Sequence, residues 1–72
     1  VELDRTDARI LAALQRDGRI SIVDLAEQVG LSPTPCARRV KRLEDARVIE
    51  GYAAVVDPRR VGHAVQAFVQ VK

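Results

Sequence analysis

Only Gly30 and Leu31 stand between the end of one helical pattern and the cap of the next. Upstream, Ile22, Leu25, Ala26 and Val29 recur at helical spacing behind Ser21, a capping residue, with Asp24 at the third position. Downstream, Ser32 is expected to cap a second helix with its hydroxyl, and Pro33 falls at the first position, where a missing N–H costs nothing. Pro35 still lies in the first turn, whose N–H groups have no intrahelical acceptor. A glycine turn this short forces a sharp reversal, so the spacing predicts a helix-turn-helix over about residues 22–43. Ala26 falls where the two helices should cross, and its small side chain permits a close approach.

The helix from 33 to about 46 is the basic one. Cys36, Val40, Leu43 and Arg47 are spaced to share one face. Thr34, Arg38, Lys41 and Arg42 project from the other side, and Arg39 is expected on the flank with its charge free. The like charges at Arg38–Lys41 and Arg38–Arg42 each cost roughly 0.2–0.5 kcal/mol in the helix alone. Asp45 offsets part of this, at the C-terminal end only. A helix that needs only solubility could alternate signs; taken alone the run reads equally as a solvated basic face, and the helix pair in front of it tips the reading toward a phosphate-bearing partner.

Before this pair, Asp4 is expected to cap a first helix, with Asp7 as a short-armed substitute for the glutamate of a capping box. Leu3, Ile10, Leu11 and Leu14 make its inner face, and Gly18 is expected to end it in a left-handed conformation. A chain of 72 residues holds one small domain, or a domain and a fragment. With Tyr52 and Phe68 its only aromatic residues, the core must be aliphatic. The net charge of +2 is small, so the basic character is local to the third helix. The single cysteine, Cys36, excludes an internal disulfide and a zinc cluster, and its helical spacing from Val40 reads as buried. No apolar run approaches the ~20 residues of a membrane span, and Val1-Glu2-Leu3-Asp4-Arg5 lacks a signal-peptide pattern, so a cytoplasmic protein is expected.

After the third helix, residues 49–56 are β-branched and bounded by turn formers, which predicts a strand, with Gly51 marking a bulge or a close backbone approach and Tyr52 packing on it. Residues 57–62 read as a turn or one helical turn, with Arg59 and Arg60 in solvent. Residues 63–72 alternate weakly and read as a further strand that has no partner in this chain. Either it pairs with another copy or the chain is cut from a longer protein, and the second is the expectation. His63, the only histidine, has no acid or nucleophile nearby in sequence and reads as a hinge residue. With no phosphate-binding glycine loop, no metal spacing and no catalytic constellation, the chain is read as a non-enzyme without a cofactor.

Three strings resemble one family when taken together. They are Leu3-Asp4-Arg5 with Asp7 and Ile10-Leu11; Asp17-Gly18-Arg19-Ile20-Ser21; and Gly30-Leu31-Ser32-Pro33-Thr34-Pro35-Cys36 followed by Arg38-Arg39-Val40 and Arg42-Leu43-Glu44. Ile49-Glu50-Gly51-Tyr52 follows at the expected place. The chain resembles the N-terminal part of the Lrp/AsnC family, the leucine-responsive or feast/famine transcriptional regulators. The serine–proline–threonine–proline–cysteine string before a basic helix is the most specific of these signals.

That resemblance implies a mainly α fold, a winged helix-turn-helix of three helices and a short strand. It divides the chain into a DNA-binding domain at 1–48, a wing or hinge strand and linker at 49–62, and at 63–72 the first strand of a βαββαβ domain otherwise absent. The missing domain would bind an amino-acid effector and assemble a homodimer or larger homo-oligomer, and no effector residue is carried over. Double-stranded DNA is the implied partner of the part present. Thr34 and Arg38 are expected at base edges, because N-terminal residues of a recognition helix go deepest. Ser32 and Pro35 open the groove-facing end, Arg39, Lys41 and Arg42 are expected on phosphates, and Ser21 marks a helix start whose N–H groups can meet one. Two other readings stay open at this point, a winged-helix module that binds protein and a fragment of a relative resembling the sirohaem decarboxylases. The clustered cations speak against the first, and nothing in the chain supports the second.

Overall fold

The first helix begins because Asp4 and Asp7 cap it reciprocally. In the computed structural model, which describes residues 2–61, the Asp4 carboxylate accepts from the Asp7 N–H at 2.8 Å. Asp7 accepts from the Asp4 N–H at 3.3 Å, the longer bond that an aspartate's short arm allows. Helix α1 spans Arg5–Arg16 and buries Asp7, Ile10 and Ala13. It does not end at Gly18 in a left-handed turn. Asp17 closes it in an extended conformation (φ −150°), and Gly30 is the positive-φ glycine among the described residues. The ring of Tyr52 lies 3.6 Å from where a Cβ on Gly18 would sit, an ordinary contact distance.

Helix α2 spans Ile22–Val29, and the Ser21 hydroxyl accepts from the Asp24 N–H at 3.1 Å as expected. Gly30 turns left-handed at φ 77°, and the Leu31 N–H reaches back to the Ala26 carbonyl at 2.9 Å. With the Gly30 N–H on Glu27, this is a Schellman stop, which sends the chain directly into the next helix. Helix α3 spans Pro33–Asp45 and buries Cys36, Val40 and Leu43. Helix α2 packs against both α1 and α3, and Ala26, 1% exposed, belongs to their common core. That core is Ile10, Ala13, Leu25, Ala26, Val29, Cys36, Val40 and Leu43, with Leu11, Leu14, Ile20, Ile22, Leu31, Val48 and Ile49 against it. It is aliphatic, as the composition requires. Leu3, expected on the inner face, is instead exposed.

Two expectations beyond α3 fail. Arg47 does not continue the apolar face, because α3 ends at Asp45 and Arg47 turns to φ 64° on the exposed side of the stop. Residues 49–56 form no strand. A strand needs a neighbour to complete its ladder, and among the described residues none is paired with this segment. Gly51 is in open space, with nothing within 4 Å of a Cβ placed there, so neither a bulge nor a close approach calls for it. Asp57 then opens a single helical turn, α4, over Pro58–Val61, and accepts from the Arg59 N–H at 2.9 Å. The strand expected at 63–72 and the hinge residue His63 lie outside the described residues.

Candidate nucleic-acid interface

The start of α3 carries uncommitted hydrogen-bonding groups, for a covalent reason. A capping serine normally accepts from the second or third N–H of its helix. Pro33 is the first residue of α3 and Pro35 the third, so the third donor does not exist. Ser32 accordingly makes no side-chain cap, contrary to expectation, and the helix is started by the prolines and by the Cys36 N–H on the Ser32 carbonyl at 3.2 Å. Among the described residues, the hydroxyls of Ser32 and Thr34 are in no hydrogen bond, and both residues are exposed. Pro35 is half-buried beside them.

Opposite the buried Cys36–Val40–Leu43 stripe, α3 presents Arg38 and Lys41 to solvent. Lys41 faces Asp45 one turn on at 3.6 Å, and both side chains are at least two-thirds exposed, so the pair exchanges readily with another anion. Arg38 makes no ion pair among the described residues. Arg38, Lys41, Arg42, Asp45 and Ala46 line one shallow depression. Ser21 sits apart, at the start of α2, with its hydroxyl engaged by the Asp24 N–H.

Arg39 is placed differently from the expectation, and Arg42, exposed as expected, is also paired with α1. The Arg39 guanidinium donates to both Asp4 carboxylate oxygens, at 3.0 and 2.9 Å, and to Asp7 Oδ1 at 3.0 Å. Arg42 donates to the other Asp7 oxygen. The Arg39 charge is thus not free. Asp7 is fully buried, and its two oxygens bind one arginine each. Burial pushes its carboxyl up, but the hydrogen bonds from Arg42, the Asp4 backbone N–H and Arg39 outweigh burial and hold it below the usual carboxylate range. The Asp7 backbone N–H and then the Arg39 guanidinium hold Asp4 down in the same way. Arg39 is raised in turn, by its bonds to Asp4 and Asp7.

The sequence pattern presents Asp7 only as a cap, although it also carries a signal for a cationic partner. Asp7 shares the inward face of α1 with Ile10 and Leu14, and an acid on an apolar face needs a cation. A second missed contact closes the far end of α3, where the Tyr52 hydroxyl donates to Glu44 at 2.7 Å. Burial, and then the Glu44 carboxylate, push the Tyr52 phenol up to about 12. Cys36 is buried as expected, and burial pushes its thiol up, away from the reactive thiolate.

Comparison with known proteins matches this architecture. The AsnC-type helix-turn-helix domain family matches residues 3–44, from the start of α1 to the last turn of α3. The leucine-responsive regulatory protein of Escherichia coli is 50% identical over 70 residues, covering 97% of this chain and 43% of the relative. The chain therefore spans less than half the length of that curated relative. A transcriptional regulator of Neisseria meningitidis, solved as a complex with L-Met, superposes with a TM-score of 0.81 at 52% identity, over 83% of this chain and 39% of that one. An AsnC family regulator of Agrobacterium tumefaciens superposes at 0.78 with 46% identity, over 82% and 39% of the two chains. With its two-residue turn, its proline-started basic helix and these relatives, the chain belongs to the Lrp/AsnC family of transcriptional regulators and carries that family's helix-turn-helix.

Proposed function

We propose that this chain is the DNA-reading part of a transcriptional regulator and binds double-stranded DNA sequence-specifically through α3. One observation carries the reading: α3 buries Cys36, Val40 and Leu43 while Ser32, Thr34, Arg38 and Lys41 stand exposed and uncommitted, or only loosely paired. A rigid helix of this kind fits the major groove. Thr34 and Arg38 read base edges, Lys41 holds a phosphate, and Ser32 and Pro35 border the groove. The start of α2 behind Ser21 offers backbone N–H groups to a second phosphate.

The division into a DNA-binding part at 1–48, a linker at 49–62 and the start of a second domain at 63–72 belongs to the same proposal. So do a cytoplasmic location, homo-oligomeric assembly and an amino-acid effector bound beyond this segment. The L-Met complex of the Neisseria relative supports the last of these. Paired copies would place two α3 helices on two half-sites. The family points to regulation and not to catalysis. Among the described residues, no helix is long and apolar enough to cross a membrane.

Fluorescence anisotropy of the whole protein on duplex DNA across a salt series tests the reading. Log affinity should fall linearly with log salt, and Arg38→Ala should cost about 1–3 kcal/mol on the cognate duplex while relaxing preference at one base step. Equal loss on cognate and random duplexes would make Arg38 a phosphate residue. Absence of salt-dependent binding would sink the DNA reading.

A further inference from the structure

Arg39 and Arg42 lie on the helix assigned to DNA, yet their guanidiniums already have anionic partners. Two guanidiniums face two carboxylates, Asp4 and Asp7, so the cluster is neutral as a whole. Three of its contacts converge on the Arg39 Nη1 at 2.9–3.0 Å. Asp7 is fully buried, so the two arginines supply the cationic partners its carboxylate has in place of bulk water. A phosphate that drew either guanidinium off Asp7 would leave a buried carboxylate short of a partner, which costs more than an exposed phosphate contact returns. The Lys41–Asp45 pair has no such constraint, because both ends are already in water.

We infer that Asp7 is a positioning residue that withholds Arg39 and Arg42 from the DNA backbone and uses them to brace α1 against α3. This rests on the DNA-binding reading, and it deepens that reading. Of the four cations between residues 38 and 42, Arg38 and Lys41 meet DNA, while Arg39 and Arg42 set the angle at which α3 presents Thr34 and Arg38. By sequence, Arg38 is expected at a base edge and Arg39, Lys41 and Arg42 all on phosphates. The tertiary structure divides them into an outer pair and an inner pair.

The test is the salt dependence of the whole protein on a random-sequence DNA duplex, where each phosphate neutralised adds about −0.9 to the slope of log affinity against log salt. Asp7→Asn releases Arg42, while Asp4 still holds Arg39, and should steepen the slope by about 0.9. The triple variant Asp7→Asn/Arg39→Gln/Arg42→Gln, with amides in place of the three charges, should return to the wild-type slope. A triple variant shallower than wild type by about 1.8 would overturn the inference, because both arginines would then have been on phosphates already. A wild-type protein with no salt-dependent binding would sink the DNA reading itself, a different outcome from the first. Should the triple variant not fold, guanidinium NMR signals of the wild type decide. Addition of the duplex should shift Arg38 and leave Arg39 and Arg42 in place, and shifts at Arg39 and Arg42 would refute the assignment.

Discussion

The Leu43 carbonyl accepts from the Val48 N–H at 3.0 Å, and this bond holds Arg47 in a left-handed conformation between them. The Arg47 N–H bonds the Glu44 carbonyl at 3.1 Å, completing a Schellman stop of the same form as the one after α2. In the first stop the left-handed residue is Gly30; in the second it is an arginine, whose Cβ is crowded there. The stop matters because it turns Val48 and Ile49 back onto the core.

Arg47→Gly should therefore stabilise the domain by about 0.5–1 kcal/mol, the relief of left-handed strain less the extra freedom glycine gains in the unfolded chain. Arg47 is exposed, so little packing is lost. Urea unfolding reads the change, and an unchanged or lower midpoint would show that the turn is unstrained.

Asp7→Ala should be among the most damaging single changes in α1. It removes the buried carboxylate that binds Arg39 and Arg42 and half of the reciprocal cap of α1. Breaking a buried pair costs roughly 3–5 kcal/mol, and because the two arginines stay partly in water the lower end is expected. A loss below about 1 kcal/mol would mean that the brace between α1 and α3 contributes nothing.

Acid should unfold the domain through the same cluster. In the folded protein the carboxyls of Asp4 and Asp7 both lie below their ordinary value of 3.8, so the unfolded chain binds these protons more tightly. Their stabilising contribution is complete above about pH 5 and is lost as the pH falls through the ordinary value toward the lowered ones. Denaturation midpoints measured from neutral pH down to about pH 3 should drop, and Asp7→Asn should flatten the drop. A wild-type midpoint that is constant over this range would contradict the depressed carboxyls.

Ala26→Leu should overpack the crossing of α2 and α3 and cost about 1–3 kcal/mol. Ala26 is 1% exposed, and its carbonyl also receives the Leu31 N–H that closes the turn, so the added bulk has no route to solvent. The melting temperature reads it, and no change would place the helix crossing elsewhere.

Local chemistry made the three helices and their turn legible without coordinates. Asp4, Ser21, Gly30, Pro33 and Pro35 act on their own backbone neighbours, and the stripes at Ile10, Leu25, Val40 and Leu43 report their faces through period alone. The aliphatic core and the buried Cys36 follow from the same spacing. Tertiary structure decided what depends on contacts distant in sequence. Arg39 and Arg38 are adjacent and chemically identical, yet one is tied to Asp4 and Asp7, more than thirty residues away, and the other faces water. Periodicity specifies which side of a helix a residue leaves from, but not what the neighbouring helix offers there. Residues 49–56 show the same limit from the other side, since their β-branched composition suits a strand but only a neighbouring strand could make them one.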